Sequence, residues 1–254
     1  MTSRPPSTLG RCRLCEQSKK LCDSHIIPKF CYKPLRDANG KAIEVNIDQE
    51  EVLDRQFAGH REKLLCVDCE NRFSRFETHS VRLFCSPLPP FSTGSKRIRE
   101  YSDLDYRTLK LFFLSVLWRS SVAINPFFKH VSLGPHEEII RDMLLREDPG
   151  GTGDYPTLIW LLTLRGKHLQ DILVEPTPMR VGTHKCKCYR FVMAGFVIII
   201  GVSSSPLEDS LLRWAMSPGE PVQSYDSEFG EFAFLRAVHE GVANMPDGKT
   251  ASSP

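Results

Sequence analysis

Two cysteine pairs, Cys12-x-x-Cys15 and Cys66-x-x-Cys69, bracket the opening quarter of this 254-residue chain. Each CxxC sets two thiols on one tight turn, and two such turns supply the four sulfurs of a tetrahedral structural zinc site. A Zn²⁺ on Cys12, Cys15, Cys66 and Cys69 ties together the ends of a module of roughly 75 residues whose own apolar content is too low for a sizeable core. The metal is therefore expected to be part of the fold. The chain has nine cysteines, and seven of them lie between Cys12 and Cys85. An odd total grouped as CxxC turns fits thiolate ligands in a reducing compartment better than a disulfide framework.

Other features agree with a cytoplasmic protein without a membrane segment. Met1 to Gly10 is polar and Pro-rich and lacks the apolar centre of a signal peptide. The most apolar run, Phe191 to Val202, is too short to span a bilayer. With 33 basic and 31 acidic side chains the net charge is +2, so bulk charge makes no case for nucleic acid. Local clusters do more: Lys96, Arg97 and Arg99 form one, and Arg72, Arg75 and Arg82 follow one expected helix.

The chain divides by texture. Residues 1–10 and 242–254 read as disordered tails, 11–85 as the cysteine-rich module, 86–102 as a Pro-rich linker and 103–241 as an α+β domain with a mainly antiparallel sheet. In that second part the pattern predicts a long helix over Asp103–Ile124, capped by Asp103 or Asp105 and ended by Asn125-Pro126. A shorter helix follows over His136–Arg146. Strands are expected at Thr157–Leu164, Ile172–Val181 and Tyr189–Val202, with Phe191–Val202 a central strand buried on both faces. Leu207–Met216 reads as a short helix, and Phe232–Val238 as helix or strand. Trp118-Arg119 reads as a core Trp beside a surface Arg. Cys186 and Cys188 read as ordinary cysteines, and Cys22 and Cys31 as spare small residues.

Between the CxxC turns lies Ser24-His25-Ile26-Ile27-Pro28, and Leu65-Cys66-x-x-Cys69-Glu70 opens a helix on which Phe73, Phe76, Val81 and Phe84 recur at helical spacing. A CxxC turn, a hairpin ending in D-H-hydrophobic-x-P and an L-C-x-x-C-[NH] helix start are the layout of HNH-type ββα-metal (treble-clef zinc finger) endonucleases. Over residues 11–84 this chain resembles a divergent member. The resemblance implies an N-terminal zinc-stapled ββα module, a metal-dependent hydrolase acting on DNA or RNA phosphodiesters, and a setting in defence or mobile-element biology. It implies His25 as the base that activates water and Glu70 as a ligand of one catalytic Mg²⁺ or Mn²⁺, with Arg72 and Arg75 on the nucleic acid.

Two positions depart from that pattern. Ser24 stands where the family has Asp or His, and Glu70 where it has His or Asn. A Ser hydroxyl is a poor ligand, so Asp23 replaces it only if the strand bulges. His60 or Asn46 are further sources of a polar partner, and Asn39-Gly40 marks a turn between them and His25. Glu77 and His79 read as exposed helix residues. The alternative function is a non-catalytic zinc module that contacts nucleic acid or a partner protein.

Overall fold

The computed structural model describes residues 9–36, 41–46, 51–56 and 59–237, with the backbone alone for 41–46 and 51–56. Residues 1–8 and 238–254, which hold most of the expected tails, and the expected Asn39-Gly40 turn lie outside the described residues. So does the side chain of Asn46. Leu9 and Gly10, expected in the tail, are in a strand.

The fold is mixed α+β with mainly antiparallel sheets. Strands β1 (Leu9–Arg11) and β2 (Ser18–His25) form a hairpin whose loop carries the first CxxC, and β5 (Arg61–Cys66) pairs antiparallel on the other side of β2. Between them, β3 (Lys41–Asn46) and β4 (Glu51–Gln56) make a separate two-stranded ladder. Helix α1 (Val67–Cys85) starts directly from β5 with Cys66 as its N-cap residue. Its buried residues Cys69, Phe73, Phe76, Ser80 and Leu83 recur every three or four positions and define one inward face. Leu83 takes the core place expected of Val81, which is half-buried.

Helix α2 (Tyr106–Val122) is capped by Asp105, whose carboxylate accepts from the Thr108 N–H at 2.8 Å. Every residue from Leu109 to Ser120 is buried, so α2 is a central rod packed on all sides. Helix α3 (His136–Arg146) matches its sequence-predicted bounds. Seven strands form the main sheet: β6 (Ile98–Tyr101), β7 (Thr157–Leu164), β8 (Lys167–His168), β9 (Val174–Val181), β10 (Cys186–Met193), β11 (Phe196–Gly201) and β12 (Val222–Glu228). The order is β6-β12-β7-β11-β10-β9, with β8 pairing on β7, and among the described residues only the β12–β7 pair is parallel. A single turn, α4 (Asp209–Leu212), falls inside the helix expected over Leu207–Met216. Residues 233–237 are helical, within the stretch expected as helix or strand.

Two differences from expectation have clear causes. Phe191–Val202 is the hairpin of β10 and β11, with Met193 facing Phe196. The turn between them, Ala194-Gly195, has φ of 47° and 86°, the two-residue geometry that matches strand twist. A Cβ on Gly195 would stand 2.0 Å from His168 Nε2. The central strand is thus β11, flanked by β7 and β10 and covered on both faces, with Phe196 and Ile198 on one side and Val197 on the other. The second difference is β6, which lies in the segment expected as linker and pairs with β12. Arg99 on β6 is held by Asp226 at 2.8 Å.

One apolar cluster runs through both halves of the chain, from Leu14, Ile26 and Phe73 to α2, α3 and the inner face of the sheet. Phe84 of α1 joins them, 5.9 Å from Phe112 and 5.4 Å from Phe196 between ring centroids.

Candidate metal centre

The β1–β2 loop and the β5–α1 junction bring Cys12, Cys15, Cys66 and Cys69 together, with all four sulfurs within 4.8 Å of one another. Among the described residues this is the one group of three or more His, Cys, Asp or Glu placed to hold a metal ion. Zn–S bonds of about 2.3 Å in a tetrahedron put sulfurs about 3.8 Å apart. Cys15 and Cys66 Sγ are 3.8 Å apart, far beyond the ~2.05 Å of a disulfide. The turn is shaped locally: Glu16 adopts φ 59° and its N–H donates to Cys12 O at 2.8 Å. The Cys66 N–H donates to Cys12 Sγ at 3.3 Å, an interaction that favours thiolate at Cys12. The neighbouring Cys69 thiol pushes the Cys12 thiol down and is itself held up by Cys12. Burial pushes Cys15 up. Four sulfurs sharing protons in a buried site is the donor set that a zinc ion occupies, releasing those protons.

The other cysteines are not among the four grouped sulfurs. Cys31 is fully buried and donates to Met193 Sδ at 3.7 Å. Cys186 and Cys188 sit in the sheet among apolar side chains.

Ser24 and His25 take opposite sides of β2, as adjacent strand residues must. Ser24 is buried, and its Oγ accepts from the Leu65 N–H at 3.2 Å. The Ser24 hydroxyl lies beside Glu70, whose carboxyl burial pushes above its ordinary range while that hydroxyl pulls it down. Glu70 Oε1 is buried and has no hydrogen-bond partner among the described residues. His25 faces the flanking strand: Arg61, its cross-strand neighbour, donates from Nε to His25 Nε2 at 3.0 Å. β2 does bulge between Leu21 and Asp23, yet Asp23 stays exposed beside Arg61 at 3.5 Å and Lys63 at 4.0 Å. It does not take the place of Ser24.

Arg72 and Arg75 both turn toward the end of α3. Arg72 donates to Leu145 O at 2.9 Å and lies 3.3 Å from Glu147, and Arg75 also pairs with Glu147. His60 is buried and stacks on Phe127 at 4.2 Å, with Nδ1 3.3 Å from Asn125 Nδ2. His79 is half-buried and accepts from the Asp105 N–H at 2.9 Å.

The residue that sequence reasoning misplaced is Arg119. It is 1% exposed, not on the surface. Its guanidinium donates to His25 O at 2.8 Å, to Glu77 Oε1 at 2.9 Å and to Ser115 O at 3.2 Å, and lies over the Phe73 ring at 5.3 Å. Glu77, expected in solvent, is thereby drawn inward. One cation thus ties β2, α1 and α2 together. The signal available was α2 itself: a helix apolar on every side buries whatever polar residue it carries.

No protein-family model, no curated protein and no solved structure matches this chain. No described helix is long and apolar enough to cross a membrane.

Proposed function

We propose that residues 11–85 form a divergent HNH-type ββα-metal endonuclease module that hydrolyses nucleic-acid phosphodiesters, stapled by zinc on Cys12, Cys15, Cys66 and Cys69. The observation that carries this reading is Glu70 Oε1, a buried carboxylate oxygen with no hydrogen-bond partner among the described residues, at the junction where the resemblance expects a cation ligand. An oxygen left in that state costs free energy unless a cation meets it. Glu70, with the Ser24 hydroxyl beside it, is the residue that would hold Mg²⁺ or Mn²⁺. Such an ion supplies charge stabilisation at the leaving oxygen. His25 accepts the proton of the attacking water at Nε2, once Arg61 has moved from that atom. Arg61 is partly exposed and has Asp23 at 3.5 Å as a second partner, so the exchange breaks no buried contact. Arg119 fixes the His25 backbone through its carbonyl.

The surroundings of His25 and Ser24 favour a second reading, a non-catalytic zinc module for nucleic-acid or protein contact. The Arg61–His25 hydrogen bond occupies the lone pair that a base needs, and His25 leaves β2 on the side opposite Ser24 and Glu70, with Ser24 supplying no charge. Cleavage of plasmid and single-stranded substrates with Mg²⁺ or Mn²⁺ separates the two. The nuclease reading expects His25→Ala to lose about 10²–10⁴-fold in rate with zinc content intact. It expects Glu70→Ala to need more metal and Ser24→Asp to gain activity. If wild type and all three variants are equally inert while the wild type binds nucleic acid or a protein, the second reading stands and the first is wrong.

A further inference from the structure

The expected nucleic-acid contacts, Arg72 and Arg75, are engaged by Glu147 and Leu145. A different basic surface lies on the far side of α1. The short 3₁₀ turn Lys29–Tyr32, which follows Pro28, packs across the middle of α1 and leaves a cavity of about 570 Å³. Lys29, Lys33 and Arg36 line one side, Ser74, Glu77 and Thr78 the other, and Phe30 and Val81 form an apolar wall. The charge is unbalanced. Among the described residues the one carboxylate lining the cavity, Glu77, already accepts from the buried Arg119, which leaves three cations facing the space. Arg36 Nε is a buried donor with no hydrogen-bond partner among the described residues, and Lys29 and Lys33 are exposed. The Thr78 hydroxyl gives its proton to Ser74 O at 2.8 Å, so its oxygen remains an acceptor at the rim.

We propose that this cavity binds the phosphate backbone of a single nucleic-acid strand, with Lys29, Lys33 and Arg36 on the phosphates and the Phe30–Val81 wall against a base or sugar. Cations beside an aromatic wall are the combination that tracks a strand, and the volume exceeds what one inorganic phosphate fills. The cavity adjoins the candidate site, because Glu77 lines it and holds the arginine that fixes the His25 carbonyl. The proposal rests on the nucleic-acid reading of the module and is independent of catalysis.

The test is binding of a fluorescein-labelled single-stranded oligonucleotide to the full chain, without added Mg²⁺, over a salt series. For single strands, each phosphate that a cation neutralises adds about 0.7 to the slope of log K against log salt. Lys29→Ala/Lys33→Ala should therefore weaken binding about tenfold at about 0.15 M salt and reduce the slope by about 1.4. Arg36→Ala should weaken binding further, while Arg72→Ala/Arg75→Ala should leave the slope unchanged. Both lysines are exposed, so zinc content and thermal unfolding of the double variant should match the wild type. An unchanged slope in the Lys29/Lys33 variant overturns the proposal even if the protein cleaves nucleic acid. Absence of oligonucleotide binding by the wild type, or displacement by inorganic phosphate at the same phosphate concentration as the oligonucleotide, overturns it as well. Binding with the predicted slopes but no cleavage upholds the cavity and removes the nuclease reading alone.

Discussion

Arg119→Met should be among the most destabilising single changes in the chain, and its cost can be worked from its contacts. The guanidinium is 1% exposed and bonds a carboxylate and two carbonyls. Met keeps much of the side-chain volume but leaves His25 O and Glu77 without their donor. An unsatisfied buried acceptor costs about 1–3 kcal/mol, and breaking a buried ion pair about 3–5 kcal/mol. The Glu77 side chain is 27% exposed and regains some water, which places the total near the lower bound, about 3–4 kcal/mol. Urea unfolding followed by far-UV circular dichroism and Trp fluorescence measures it. The double variant Arg119→Met/Glu77→Gln should lose only about 1–2 kcal/mol, because no charge is stranded. Arg119→Lys should fall between, since an ammonium cannot span His25 O and Glu77 as the planar fork does. A destabilisation under about 1 kcal/mol for Arg119→Met, or a double variant as unstable as the sum of the singles, would refute the reasoning.

Two further outcomes follow from the packing. Phe84→Ala should cost about 3–5 kcal/mol and, because Phe84 touches both Phe112 and Phe196, the chain should still unfold in one transition; two separate transitions would show that the halves are not one core. Lys110 is buried, bonded to Tyr106 Oη at 3.0 Å and Gly151 O at 2.7 Å, and burial pushes it down to about 8. The unfolded chain keeps that proton up to 10.5, so above about pH 8 the unfolded state binds more protons and folding gains about 1.4 kcal/mol per pH unit. Relative to Lys110→Met, the wild type should thus gain about 2 kcal/mol between about pH 7 and 9.5, and a flat difference contradicts the shift.

The pieces legible in the sequence are those set by local chemistry. Both CxxC turns converge into one cluster of four sulfurs that could hold a metal ion, α3 begins after Gly134-Pro135, and β7 stops at the Arg165-Gly166 turn. The β10–β11 hairpin is hard to see in the sequence because Ala194-Gly195 is a weaker turn signal than Asn-Gly and sits inside a continuous apolar run. β6 is masked by the Pro-rich stretch before it and is fixed by long-range pairing to β12. At the candidate site, Ser24, His25 and Glu70 can be named from the sequence, yet their facing cannot. Which way His25 and Arg119 turn depends on Arg61 and Glu77, partners set by tertiary packing.

The central claim is that Cys12, Cys15, Cys66 and Cys69 together hold one zinc ion. Zinc K-edge X-ray absorption on the purified protein, with zinc and protein quantified on the same sample, tests it directly. The expected result is about one zinc per chain with four sulfur neighbours at about 2.3 Å. A zinc-free protein, a shell containing nitrogen or oxygen in place of sulfur, or disulfides among these four cysteines would contradict it.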